Sequence, residues 1–246
     1  FFKQKTAYEI RNCDWSSDVA LPICVSFRRL RRARGAVARV QAQVDGPFLA
    51  DAERAAGWRL LFDGETLAGW RGYRRGDAPT AWKAVDGSLT FVPTDDRGDL
   101  ITTEQFDNFE LALEWKLSPG GNSGIMFRVT EAHDWPWESG AEMQVLDNAG
   151  HADGGNPLTS AGANYALHAP SRDVSRPVGE WNAVRLVVDG SHVEHWLNGV
   201  KVVEYELWSD EWKALVAGSK FSAMPDYALA AKGHVCLQDQ IGRAHV

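Results

Sequence analysis

Turn signals recur about every 8–12 residues from Gly57 onward, and this spacing constrains the chain more than any other feature. The runs between turns are too short for most helices and have the length of strands in a β-sandwich or barrel. Residues 184–206, VRLVVDG-SHVEHWLNG-VKVVEYE, are the clearest case. Three β-rich runs are joined there by Asp189-Gly190 and Asn198-Gly199, which predicts an antiparallel meander. WKAVDGSLTF places Asp86-Gly87 between two short apolar runs, a hairpin of the type I′ kind. FELALEWKL (109–117) alternates as one long strand, and SGIMFRV (123–129) follows a turn at Gly120-Gly121. Helical periodicity is weak, except for a short helix over 49–56 and a turn or two over 209–216. The expected fold is all-β: two packed antiparallel sheets in one domain.

Composition narrows the function. A net charge of -7 argues against nucleic acid or an anionic membrane as the main partner, since both require a basic footprint. No apolar run approaches the roughly 18 residues of a membrane span. Three Cys provide neither a disulfide framework nor a CxxC metal spacing. Eleven Trp and 23 Gly fit a turn-rich β protein with aromatic surfaces.

The two ends have a different character. FFKQKTAYEIRNCDWSSDV and the final IGRAHV resemble translated sequencing adapter, so 1–23 and 241–246 are expected to be non-native. Residues 24–48, basic and Ala-rich, read as a linker or a signal-peptide remnant, with the native N-terminus missing. The domain is expected over 49–240.

Polar residues concentrate between Pro119 and Asp173. Arg128 alternates with Met126, which predicts a face that Ile125 and Phe127 do not share. HDWPWESG carries Trp135 and Trp137 in a loop, suited to stacking on sugar rings or to anchoring that loop on the core. EMQVLDNAGH (142–151) alternates Glu142 and Gln144 with Met143 and Val145, then runs into Asp147 and His151. Its polar side is either an ordinary solvent face or the lining of a pocket. His195 alternates with Val193 and Leu197, a position as suited to the packed face as to catalysis, while His192 reads as a surface residue. No nucleophile elbow, P-loop, zinc motif or dinucleotide fingerprint is present.

Several blocks together resemble the 3-keto-disaccharide hydrolase family: GWRLLFDGETLAGWRGY, NSGIMFR, EMQVLDN, PVGEWNAVRLVV, HWLNGVKVVEYE, SKFSAMPD and GHVCLQD, in order over about 57–239. The resemblance implies a concanavalin A-like jelly-roll sandwich. It also implies cleavage of the glycosidic bond of 3-keto-glycosides or 3-keto-disaccharides, by elimination and hydration or by net hydrolysis. Some members use a divalent metal ion, for which no ligand set is assigned here. The sugar would come from a partner sugar 3-dehydrogenase, and export to the periplasm or beyond is common. One departure stands out. Members continue LQDHG into a last strand of the type V-x-F-R-N-I, whereas here LQD is followed by Gln240 and the adapter-like tail. A truncated last strand is expected to leave an unpaired edge.

A C3 ketone acidifies the C2 hydrogen, so the site requires a base near C2, an electrophile on the C3 oxygen and an acid at the glycosidic oxygen. Glu142 is the expected base or metal ligand, Arg128 (or a metal) the electrophile and His195 the acid. Asn122, Gln144, Asp147, Tyr165, Lys220, Gln238 and Asp239 fall in the matching blocks and are expected to orient sugar hydroxyls. Two alternatives stand beside this reading. An ordinary glycosidase would place two carboxylates about 5–9.5 Å apart, with Asp147 as the one obvious partner of Glu142. A non-catalytic carbohydrate-binding module would use the same sandwich.

Overall fold

The computed structural model describes residues 25–33 and 51–239. The adapter-like ends and the stretch 34–48 lie outside those residues. Among them, in chain order, are β1 (Val25–Ala33), α1 (Asp51–Ala55), β2 (Arg59–Leu60), β3 (Trp70–Gly72), β4 (Trp82–Val85), β5 (Ser88–Phe91), β6 (Leu100–Thr102), β7 (Phe109–Leu117) and β8 (Asn122–Val129). There follow β9 (Ala141–Leu146), β10 (Asn182–Asp189), β11 (His192–Leu197), β12 (Val200–Glu206), α2 (Asp210–Ala217) and β13 (His234–Leu237).

The strands form two antiparallel sheets, as the turn spacing predicts. The larger runs β12-β11-β10-β7-β1-β5-β4, with β2 also on β1, and the smaller runs β3-β6-β13-β8-β9. On β7 the residues Leu111, Leu113, Trp115 and Leu117 are buried, while Ala112, Glu114 and Lys116 between them are part-exposed. From the smaller sheet, Ile125, Phe127, Met143, Val145 and Leu237 enter the same core. Alternate residues of the two sheets therefore meet in one layer, the arrangement of a sandwich.

The turns follow from residues that tolerate a left-handed backbone. Asp86 and Gly87 (φ 48° and 72°) close the β4–β5 hairpin, and Asn198 and Gly199 (φ 48° and 81°) close β11–β12. These are type I′ pairs whose twist matches the strands they join. The β10–β11 turn sits one residue later than its Asp-Gly signal: Asp189 pairs with His192, so the loop is Gly190-Ser191. Only Gly190 (φ 61°) has positive φ in that pair, the pattern of a type II′ turn. The helix of 209–216 appears as α2, where the Ser209 hydroxyl accepts from Trp212 N at 3.1 Å.

Residues 25–33 differ from the linker or leader expected of them. They form β1, which pairs with β5 from Val25↔Phe91 to Phe27↔Leu89 and with β7 from Val25↔Leu117 to Ala33↔Glu110. Val25-Ser26-Phe27-Arg28 has the V-x-F-R spacing that the resemblance places after Asp239. β1 thus fills an interior position, and neither β5 nor β7 is left with an open edge there. A basic run conceals its strand signal, because pairing on both sides comes from strands that lie far away in sequence.

The face of the smaller sheet turned away from the main core is also covered. Ile101, Met126, Val129 and Cys236 form a second apolar cluster there, with Tyr73 and Trp137 packed on it. Every residue of β8 and of β9 is buried in consequence.

Candidate active site

The polar residues of β8 and β9 stand on that covered face. Asn122 and Gly124 lie on β8, Glu142 and Gln144 on β9, and Gln238 follows β13. Backbone pairing sets their positions: Gly124 opposes Gln144, and Gln238 N donates to Gly124 O at 3.0 Å. Glu142 lies across Gly124. A Cβ on that glycine would come within 2.1 Å of Glu142 Oε1, so only glycine leaves room for the carboxylate. A glycine inside an apolar strand is a known mark of close approach, and Gly124 is the signal that could have located this contact from sequence.

These side chains are buried, and several of their polar atoms lack partners. Glu142 is 6% exposed, Gln144 1%, Asn122 2% and Gln238 8%. Glu142 Oε1, both side-chain polar atoms of Gln144, Asn122 Oδ1 and Gln238 Oε1 have no hydrogen bond. An unsatisfied buried polar group costs about 1–3 kcal/mol, and most native ones are paired. Several on one face therefore point to groups held ready for a polar ligand. Burial pushes the Glu142 carboxyl up to about 8; Lys220 opposes the shift, while Asp99 and Asp153 add to it.

One wall of the site comes from residues far away in sequence. Gln144 N donates to Ala163 O at 3.0 Å and Tyr165 N donates to Glu142 O at 3.0 Å, so the chain at 162–165 extends the sheet beyond β9. This brings Tyr165 beside Glu142. Lys220 Nζ stands 4.2 Å from the centre of the Tyr165 ring. Lys220 itself is anchored by its neighbours. The Ser219 hydroxyl accepts from Phe221 N at 3.1 Å, and buried Phe221 stacks on Tyr227 with ring centres 3.8 Å apart. His151, undecided from sequence, brings Nε2 to 3.4 Å from Asn122 Nδ2. Asp99 accepts from Asp239 N at 2.9 Å. Neither Asp99 nor Asp153 stands out in the sequence, because their relation to Glu142 exists only through the fold.

Of the residues singled out from sequence, Glu142, Gln144, Asn122, Gln238, Tyr165 and Lys220 are gathered on this side of the sheet, with Asp239 at its margin. Asp147 serves a turn: its carboxylate accepts from Gly120 N at 2.8 Å and Ala149 N at 3.1 Å. Arg128 and His195 are elsewhere. Arg128 has φ 52°, at a register shift where His234 pairs with Val129 but Cys236 pairs with Met126. This β-bulge breaks the alternation. Val129 joins Met126 in the second cluster, while Arg128 turns to donate to Asp107 O at 3.0 Å and to lie over Trp208. The face predicted for Arg128 is therefore corrected. His195 is fully enclosed, with Nδ1 3.1 Å from Gly162 O and Nε2 3.3 Å from the Tyr205 hydroxyl. Burial pulls its pKa down to about 4. Both of its ring nitrogens are occupied by these two contacts.

The fold agrees with what the chain resembles among known proteins. Residues 57–245 match the family model described as a 3-keto-alpha-glucoside-1,2-lyase-like domain. The chain belongs to this family. It is 36% identical over 161 residues to a 3-keto-disaccharide hydrolase of Bacteroides thetaiotaomicron, a match covering 57% of this chain and 56% of that protein. The chain thus matches little more than half the length of that relative. A solved structure from Parabacteroides distasonis, provisionally named a glycosyl hydrolase, superposes with a TM-score of 0.72 at 31% identity, covering 78% of this chain and 92% of the other. A second from the same organism gives 0.54 at 29% identity, covering 71% and 92%. These superpositions agree with the β-sandwich described above.

Proposed function

We propose that the protein cleaves the glycosidic bond of 3-keto-glycosides, with Glu142 removing the C2 proton. One observation carries this reading: the buried Glu142 carboxyl has no hydrogen bond at Oε1 and shares its face with amide atoms of Gln144, Asn122 and Gln238 that also lack partners. A base that takes a carbon-bound proton works best when its pKa lies near the operating pH, and burial moves Glu142 that way. The amides of Gln144, Asn122 and Gln238 supply donors and acceptors for sugar hydroxyls. Lys220 is the cation placed to stabilise charge developing on the C3 oxygen, the role first expected of Arg128.

The donor set does not fit a resident divalent cation. Hard cations favour several carboxylate oxygens, and Glu142 resists ionisation and faces the Lys220 charge. Among the described residues, the one set of His and carboxylate groups close enough to share an ion is His192, Glu194 and Glu204 on the other sheet. No step is routed through a metal.

The rival glycosidase reading loses the partner it named, since Asp147 is engaged in a turn. A ketone-bearing substrate implies a dehydrogenase upstream and, with the family's usual export, a periplasmic or extracellular setting. The test is incubation with a 3-keto-glucoside and with its unoxidised parent, each with and without chelator. Cleavage of the keto sugar alone, unaffected by chelator, is expected. Equal cleavage of the parent would favour the paired-carboxylate glycosidase, and binding without cleavage the carbohydrate-binding module.

A further inference from the structure

We propose that Lys220 acts as a nucleophile, forming an imine through Nζ with the C3 ketone of the sugar, so that the C2 proton is lost to Glu142 from an iminium rather than from the free ketone. The inference rests on the function proposed above and goes beyond it by making catalysis covalent. Three features of the site carry it. Lys220 is held by the Ser219 cap and by the buried, stacked Phe221, so its stem starts from a fixed point. Its Nζ lies over Tyr165, whose backbone N bonds Glu142 O, which puts amine and carboxyl on the same side of the sheet. Glu142 and Lys220 feel each other's charge, yet neither forms an ion pair with any described residue. The reacting carbons of a sugar would lie between them.

An amine must be neutral to attack. Burial away from water lowers the Lys220 pKa, partly countered by the charges of Glu142 and Asp153. Desolvation is one of the established ways of activating a lysine toward carbonyls. The chemistry balances without an added reagent. Nζ adds to C3, and the carbonyl oxygen leaves as water with a proton supplied by the Glu142 carboxylic acid. The carboxylate then takes the C2 proton, and the C2–H electron pair forms C2=C3 as an enamine. The enamine expels the aglycone oxygen from C1, which is protonated by the Glu142 acid. Water adds to C1 as the Glu142 carboxylate takes its proton, and the Glu142 acid returns that proton to C2 to restore the iminium. Hydrolysis of the iminium then releases the 3-keto sugar and free Lys220, with the last proton taken by Glu142.

The experiment treats the whole chain with a 3-keto-glucoside and cyanoborohydride, then maps the adduct by peptide mass spectrometry. A reduced sugar adduct is expected on Lys220, with Lys83, Lys116, Lys201, Lys213 and Lys232 as internal controls and the parent glucoside giving none. Lys220→Arg keeps the positive charge without a nucleophilic amine. It is expected to lower kcat about 100-fold or more, with KM within about threefold and an unchanged Tm. Cleavage without an adduct on Lys220, or Lys220→Arg retaining kcat within about threefold, overturns the imine and leaves cleavage by Glu142 standing. An adduct on Lys220 without cleavage upholds the imine and removes the proposed function. Neither adduct nor cleavage overturns both.

Discussion

Both sheets carry acidic residues on the face turned away from the main core, and the two faces treat them in opposite ways. On the larger sheet, His192 Nδ1 lies 2.7 Å from Glu206, and Lys201 Nζ lies 2.7 Å from Glu204 and 3.2 Å from Glu194. The network is part-exposed, and its charges answer one another. On the smaller sheet, Glu142 is buried and without an ion pair to any described residue, among amide atoms that also lack partners. Residue type is alike in the two places. What distinguishes the candidate site is a local cost in stability, and groups kept at such a cost point to ligand and transition-state binding.

Glu142→Gln tests this contrast most severely. A loss of about 10²–10⁴ in kcat is expected from removing the base. The same variant changes the pH dependence of stability. A carboxyl raised from 4.5 to about 8 leaves the folded state fully stable below pH 4.5 and costs it stability as the pH climbs through 8. Thermal melts should therefore fall in the wild type between about pH 5 and 8, and less so in Glu142→Gln. If the variant melts lower than the wild type at pH 8, Glu142 is stabilising in the manner of the larger sheet and the contrast fails. Activity should rise with pH towards 8 as the base ionises.

Gly124→Ala comes next. Its new Cβ must displace the Glu142 carboxylate, so kcat should drop about tenfold to a hundredfold while the fold persists. Full activity would show that Glu142 need not lie across β8. His195→Ala should reverse the balance between stability and activity. Removing a buried ring bonded to Gly162 O and the Tyr205 hydroxyl is expected to cost about 1–3 kcal/mol in chemical denaturation, with kcat per folded molecule preserved. A large kcat loss at unchanged stability would restore His195 to the chemistry. The smallest effect is expected from Lys201→Met on the larger sheet, about 0–1 kcal/mol and no change in kcat, because exposed ion pairs contribute little.

Much of the sandwich was legible in advance. β7 matches its alternating run residue for residue, and the Asp86-Gly87 and Asn198-Gly199 hairpins turn where their residues direct, since period and turn chemistry are local. The candidate site was legible as far as β8 and β9 carry its buried polar face, with Asn122, Glu142 and Gln144. Arg128 misled because alternation assumes an unbroken ladder, and the bulge that rotates it is set by pairing with β13, about a hundred residues away. β1 misled for a related reason. A strand paired on both sides owes its conformation to its neighbours, and its basic sequence shows no clear period.

From the sequence alone come the all-β class, the turns and the family resemblance, because each depends on neighbours in the chain or on blocks in order. Only the tertiary structure decided which polar residues are hidden and unpaired, that Lys220 and Tyr165 stand near Glu142, and that Arg128 and His195 do not. Burial and pairing are properties of contacts between distant strands, and the same Glu in an exposed strand would be a solvated charge like Glu204.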